Sequence, residues 1–124
     1  MSCLAYIDGQ TGDVLWKLGG KQNSFRDVGD GAATNISWQH HARFVVQFDT
    51  NSTRSISVFD NGSRGVGASE HVSRGLLVEI DEDAMTTAVV QQYWSPNPIS
   101  SQSQGSMQVL ANGRVLVGYG YGAA

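Results

Sequence analysis

Residues 74–94, RGLLVEIDEDAMTTAVVQQYW, contain two stretches rich in apolar residues on either side of the polar sequence Asp81-Glu82-Asp83-Ala84. Short apolar stretches separated by turn-forming residues are typical of a β-hairpin. We therefore predict strands at 74–80 and 86–94. The same alternation of short strand and polar turn continues outward from this hairpin in both directions.

Three further hairpins are predicted around it. The turn DGQTG joins strands at 4–8 and 14–18, DTNST joins 41–48 and 55–59, and ANG joins 106–110 and 114–119. In the strand 41–48, Phe44, Val46 and Phe48 alternate with polar or smaller residues, as on one face of a sheet. Residues 19–37, 64–73 and 95–105 are predicted to be loops.

This pattern predicts an all-β protein. No segment has the periodicity of a helix, and eight short strands joined by glycine-rich turns are typical of a β-sandwich or a β-propeller. The phrases DGQTGDVLW, DEDAMTTAVVQQYW and ANGRVLVGYG resemble one another. Weak recurrence at this spacing favours propeller blades with antiparallel strands.

The composition limits the classes of function. The chain has 124 residues, enough for one small domain, with a net charge of −3. An acidic chain has no electrostatic reason to bind nucleic acid or an anionic membrane, and no apolar stretch is long enough to span a bilayer. We expect no nucleic-acid or membrane partner and no signal peptide in this chain. A single cysteine rules out an internal disulfide and a cysteine-based zinc site.

Three asparagines, Asn35, Asn51 and Asn61, match the acceptor pattern for N-glycosylation, a mild indication of the secretory pathway. Asn61 also precedes a glycine. Because Asn-Gly adopts left-handed dihedrals at low cost, we predict that Asn61 is primarily a turn residue.

Five phrases carry a more specific signal. They are YIDGQTGDVLWKLGGKQNSF, WQHHARF, ISVFDNGS, SRGLLVEID and SQGSMQVLANGRVLVGYG, and they follow one another between residues 6 and 120. Together they resemble the arylsulfotransferase family of β-propellers, in particular its fungal branch. The resemblance implies an incomplete propeller of about two blades, because a closed propeller has ~4–8. We expect half a blade at 4–20, a full blade at 38–95 and half a blade at 104–120. Open strand edges would then favour self-association.

The resemblance also implies an activity. Members of this family transfer a sulfuryl group from a phenolic sulfate ester to a phenol through a transiently sulfated histidine, without a metal or organic cofactor. The Trp-Gln-His phrase places that histidine at His40. We expect Arg43 to assist catalysis and Gln39, Gln104 and Ser106 to contact substrate. The expected partners are small phenols or their sulfate esters, and the expected location is extracellular or secretory.

The sequence departs from the family pattern in two places. The family has an acidic residue at the position of His41, where it would orient the catalytic imidazole. An upstream Arg-His pair is also missing, since SCLAYIDG stands where we expect it. In a regular strand, moreover, Arg43 would share a face with His41 and not with His40. Arg64 and Arg74 are looser candidates for the cation.

Other interpretations remain open. The chain could be a non-catalytic β-propeller piece that serves as a binding or structural module. A quinoprotein-type propeller also contains the DGxTGxxxW turn, but the Trp-Gln-His phrase argues against it. A metal site at His40 and His41 is poorly supported, because neighbouring strand residues point apart and no third ligand is evident. We expect His71 to be solvated.

Overall fold

The computed structural model describes residues 2–62 and 72–123, and within them the chain is all-β, as the sequence predicts. Arg64 and His71 lie outside the described residues. No helix in the described part is long and apolar enough to span a membrane. The strands are β1 (Leu4–Ile7), β2 (Val14–Leu18), β3 (Arg26–Asp27), β4 (His40–Phe44), β5 (Arg54–Asp60), β6 (Arg74–Asp81), β7 (Thr86–Tyr93), β8 (Ser100–Ser103), β9 (Ser106–Val109), β10 (Val115–Gly118) and β11 (Tyr121–Ala123).

A five-stranded sheet forms the centre of the molecule. Its order is β3-β7-β6-β5-β4, with antiparallel neighbours from β4 to β7 and a short parallel pairing between β3 and β7. The hairpin predicted at 74–94 is therefore confirmed as β6 and β7. Strands β5 and β6 stay in register from Arg54 opposite Ile80 to Asp60 opposite Arg74.

One face of this sheet packs against the hairpin of β1 and β2. Alternate residues of β5 and β6 contribute the sheet side of this core, and Trp16 and Leu18 contribute the hairpin side. Arg54 covers the edge of this core, with its guanidinium 3.8 Å from the centroid of the Phe44 ring. The same guanidinium lies 3.1 Å from the Glu82 carboxylate, which also accepts a hydrogen bond from the Trp16 indole.

The other face packs against the hairpin of β9 and β10. Phe59 and Leu77, which alternate with the residues of the first face, form a second core with Val45 and Met107. A Cβ atom at Gly75 would lie 2.8 Å from the sulfur of Met107, so glycine is needed for this close approach. The described residues thus form three layers, with the large sheet between two hairpins.

The structure corrects the predicted strand at 41–48. Strand β4 ends at Phe44, and Val46–Phe48 form a 3₁₀ turn in which Val46 is 73% exposed. The reason is local hydrogen bonding after the strand: the Asp49 carboxylate accepts from the Ser55 amide, and Thr50 bonds to Thr53. Such side-chain bonds compete with a strand ladder.

Two predicted loops also contain short strands. Residues 19–37 include β3, and residues 95–105 include β8, which pairs with β11. Asp27 organises the first of these segments, because its carboxylate accepts hydrogen bonds from the amides of Gly29, Ala33 and Thr34. The strands that pair with β3 and β8, namely β7 and β11, lie far along the chain, so no local hydrophobic pattern predicts these two short strands.

Candidate functional site

The segment from Ser37 to His40 lies where the three layers meet. The Ser37 amide donates to the Asp60 carboxylate at the end of β5, and the Trp38 amide donates to the Ser2 hydroxyl before β1. The Gln39 side chain donates to the Cys3 carbonyl at 2.7 Å. The predicted site residues at 39 and 40 are therefore held by side-chain and backbone bonds rather than by a sheet ladder alone.

His40 is half-buried and is oriented by Asn61. Its Nδ1 lies 2.7 Å from the Asn61 side-chain oxygen. The Asn61 amide nitrogen, 2.8 Å from the Gln104 carbonyl and 2.9 Å from the Ser101 carbonyl, is committed to donating. The side-chain oxygen therefore faces His40 as an acceptor. The network assigns the proton to Nδ1 and leaves the lone pair on Nε2.

The prediction that Asn61 is mainly a turn residue is wrong. The left-handed residue is Gly62, with φ of 69°, whereas Asn61 is completely buried. Because its amide nitrogen already donates to two backbone carbonyls, a glycan on Asn61 is incompatible with this fold. The other two sequon asparagines, Asn35 and Asn51, are exposed.

Asp60 also stabilises the segment from Ser37 to His40, the junction at which the three layers meet. Its buried carboxylate accepts from the amides of Ser37 and Gly62 through one oxygen, and the Arg74 guanidinium lies 3.1 Å from the other. A carboxylate that is only 3% exposed is normally paired in this way. Arg74, a looser candidate for the catalytic cation, is thus committed to an ion pair within the fold.

Backbone strain concentrates around His40. In the described residues, four positions other than glycine have a left-handed φ: Met85 lies in a β-turn, whereas Trp38 (53°), His41 (58°) and Gln104 (63°) surround the junction. Such conformations cost about 1–3 kcal/mol each and are frequent at functional sites. The strain supports this end of the sheet as the candidate site.

A β-bulge separates His40 from Arg43. His40 pairs with Phe59 and Arg43 with Ser57, so that His41 and Ala42 together oppose a single residue of β5. The bulge interrupts the regular alternation of the strand, but Arg43 still lies on the side of His41, as expected for this segment. Arg43 is exposed and lines a cavity together with His41, and His40 is not among the described residues that line this cavity.

The three predicted substrate contacts occupy different positions. Gln39 is half-buried, and its side-chain oxygen is buried without a hydrogen-bond partner among the described residues. Gln104 is exposed, and its backbone carbonyl accepts a hydrogen bond from the Asn61 side chain. Ser106 begins β9 opposite Gly118. Gln39 and Gln104 thus adjoin the junction through the contacts above, whereas no contact of Ser106 with it is observed in the described residues.

The sequence did not predict the hydrogen-bond partners of the two histidines. Asn61, the partner of His40, was interpreted as a turn residue. Met107, whose carbonyl lies 2.9 Å from Nδ1 of His41, reaches it through packing between layers. No local signal distinguishes such residues. Among the described residues, no group of three or more histidine, cysteine or acidic side chains is placed to hold a metal ion.

Fold and site together define an all-β protein whose antiparallel sheets hold an oriented histidine at one end. A family model described as arylsulfotransferase (ASST) matches residues 1–124. The chain therefore belongs to the arylsulfotransferase family, as the five sequence phrases predict. No curated protein and no solved structure matches the chain significantly.

Proposed function

We propose that His40 accepts a sulfuryl group from a phenolic sulfate ester and passes it to a phenol. One observation carries the proposal: the 2.7 Å bond between His40 and Asn61, which leaves the Nε2 lone pair available. A neutral imidazole with a fixed tautomer is a competent nucleophile, and a covalent intermediate divides one difficult transfer into two easier steps.

The transfer takes place in two steps, and neither changes the oxidation state of sulfur, so no redox partner is required. In the first, the Nε2 lone pair forms a bond to sulfur while the ester S–O bond breaks and its electron pair leaves with the phenolate. In the second, the acceptor phenol loses its proton to solvent and its oxygen attacks sulfur, and the N–S pair returns to Nε2. These steps need no metal or organic cofactor.

Asn61 would favour the intermediate. Sulfation of Nε2 leaves a proton on Nδ1 and gives the ring positive charge, so the Asn61 oxygen becomes the acceptor of a charge-assisted hydrogen bond. This amide would take the orienting role that the family pattern assigns to an acidic residue at position 41. Arg43 lines the cavity beside His41 and not the side of His40, but it is exposed and is the proposed cation for the sulfuryl oxygens, since such charge needs cationic or N–H donors.

The proposed substrate contacts are those predicted from the sequence, namely Gln39, Gln104 and Ser106. Gln39 has the clearest support, because a buried oxygen without a partner among the described residues is costly, and a ligand hydroxyl that reached it would remove this cost. The partners would be small phenols and their sulfate esters.

The wider proposal is a fungal-type enzyme of which this chain represents about two blades, with half blades at 4–20 and 104–120 around a full blade at 38–95. The three-layer packing supports it, because a sheet between two further hairpins resembles neighbouring blades. We also propose an extracellular or secretory location, supported by the exposed sequons at Asn35 and Asn51.

The test is turnover of 4-nitrophenyl sulfate with phenol, measured as release of 4-nitrophenol. We expect His40→Gln to lower the rate by at least ~10³-fold, because removing the nucleophile removes the covalent route. His71→Gln is the matched control. Equal turnover in the His40 variant would overturn the proposal, and a folded chain without turnover would favour the non-catalytic binding or structural module.

A further inference from the structure

Three polar side chains are buried together behind His40. Asn61 and Ser73 are 0% exposed, and Ser101 is 1% exposed. Buried polar groups are normally hydrogen-bonded, and a buried network whose members are all satisfied holds each of them in one arrangement. The sulfuryl transfer proposed above uses Asn61 and neither of the two serines.

The Ser73 hydroxyl joins two backbone segments that are far apart along the chain. It donates to the Asn61 carbonyl at 2.8 Å and accepts from the Ser101 amide at 2.7 Å. The same oxygen lies 3.2 Å from the Ser101 carbonyl. One side chain just before β6 thus connects the residue that follows β5 to strand β8.

The segment that Ser73 anchors also holds the Asn61 side chain. The Asn61 amide nitrogen donates to the Ser101 carbonyl at 2.9 Å. Ser73 therefore fixes Asn61 twice, through the Asn61 carbonyl and through the backbone that accepts from the Asn61 amide. The oxygen of this amide lies 2.7 Å from Nδ1 of His40, so a movement of Ser101 relative to Asn61 would turn the oxygen away from the ring.

The backbone on either side of the hydroxyl is held by other bonds. The Ser73 amide donates to the Ile99 carbonyl at 2.8 Å. The next residue, Arg74, lies opposite Asp60 in the register of β5 and β6 and forms an ion pair with it at 3.1 Å. A substitution of the Ser73 side chain leaves these bonds in place, so its effect falls on Asn61 and Ser101.

We infer that Ser73 is a positioning residue for His40, and that it acts through Asn61. Its hydroxyl keeps the Asn61 oxygen directed at Nδ1, so that the proton stays on Nδ1 and the lone pair on Nε2. Without the hydroxyl, the Asn61 carbonyl and the Ser101 amide lose a buried partner, and the backbone shift that relieves this cost moves the Asn61 side chain. The kinetic part of this role rests on the proposed function, whereas the effect on the tautomer does not.

The test is nitrogen NMR of the neutral His40 ring in the full chain. Ser73→Ala removes the hydroxyl, and we expect the ratio of Nδ1–H to Nε2–H to fall at least ~5-fold, the effect of losing one ordinary hydrogen bond. Ser73→Cys supplies a thiol, a weaker donor of similar size, and should cause a smaller fall in the same direction. It provides the measurement if the alanine variant does not fold.

Thr87→Val is the matched control. It also removes a buried hydroxyl, whose bond goes to the Glu79 carbonyl at 2.9 Å, but at the opposite end of the sheet from His40. The tautomer ratio of His40 should stay unchanged in this variant. An equal fall in Thr87→Val, or an unchanged ratio in a folded Ser73 variant, would overturn the inference.

Turnover of 4-nitrophenyl sulfate distinguishes a failure of this inference from a failure of the proposed function. If His40 carries the sulfuryl group, Ser73→Ala should lower kcat by ~10–100-fold with KM nearly unchanged, because a displaced reacting group slows the chemical step. A shifted tautomer with unchanged kcat would refute the role of Ser73 in the transfer. A shifted tautomer in a chain that shows no turnover even without substitution would support the role of Ser73 and contradict the proposed function alone.

Discussion

At the scale of single residues, Asn61 determines what His40 can do. The sequence identified His40 through a resemblance and placed its orienting partner at position 41, where a histidine stands. The structure provides an amide from the end of β5 instead. The amide is fixed by carbonyls 40 and 43 residues further along the chain, so its role depends on long-range packing that no local motif records.

Replacing Asn61 with leucine should therefore affect both the tautomer of His40 and stability. The Ser101 and Gln104 carbonyls would lose their donor, so we expect a loss of about 2–4 kcal/mol in the free energy of unfolding. Nitrogen NMR should show His40 shifting from Nδ1–H towards Nε2–H. Asn112→Ala, in an exposed turn, is the control and should cost about 1 kcal/mol or less. An unchanged tautomer would refute the role of Asn61.

Gly105 explains part of the Gln-Gly-Ser-Met-Gln phrase. Its φ is 112°, and a Cβ atom there would lie 2.3 Å from the buried Phe59 ring. We expect Gly105→Ala to cost at least ~2 kcal/mol in urea unfolding, since strain and a steric clash add. Gly113 also has a left-handed φ but open space around it, so Gly113→Ala isolates the strain and should cost about 1 kcal/mol. Equal costs would mean that the clash is relieved by repacking.

At the scale of elements, the strands with clear apolar patterns were predictable, whereas their ends and irregularities were not. The hairpins at β1–β2, β6–β7 and β9–β10 follow directly from apolar runs around polar turns. The end of β4 and its bulge depend on hydrogen bonds made by the following turn and by β9. Since both the bulge and the bond between His40 and Asn61 depend on partners far along the chain, the geometry of the candidate site was the least predictable part.

The stability of the turn between β1 and β2 should depend on pH. The Asp8 carboxylate accepts from the amides of Thr11 and Gln10, and these bonds lower the pKa of Asp8 below 3.8, with Thr11 contributing most. A depressed folded-state pKa stabilises the turn above the unfolded pKa, and this contribution disappears as the pH falls through the folded value. Carbon NMR titration should show the low pKa, and Asp8→Asn should remove this part of the pH dependence. A carboxyl titrating at or above 3.8 would contradict the prediction.

At the scale of the whole molecule, the three layers leave apolar residues exposed. Leu15 on β2 and Leu116 on β10 are 53% and 60% exposed, and they lie on the two outer hairpins. Such surfaces favour contact with further strands, either of a second copy or of additional blades. We therefore expect native mass spectrometry to detect self-association that increases with concentration. A strict monomer throughout would show that these outer hairpins are compatible with solvent.

The central claim is that His40 carries the sulfuryl group. The most direct measurement is peptide mass spectrometry after the folded chain is mixed with 4-nitrophenyl sulfate in the absence of phenol. The account predicts that the peptide containing His40 gains one SO₃ group, with fragmentation placing it on His40, and that added phenol removes it. An unlabelled chain, or a label confined to His41 or His71, would contradict the account.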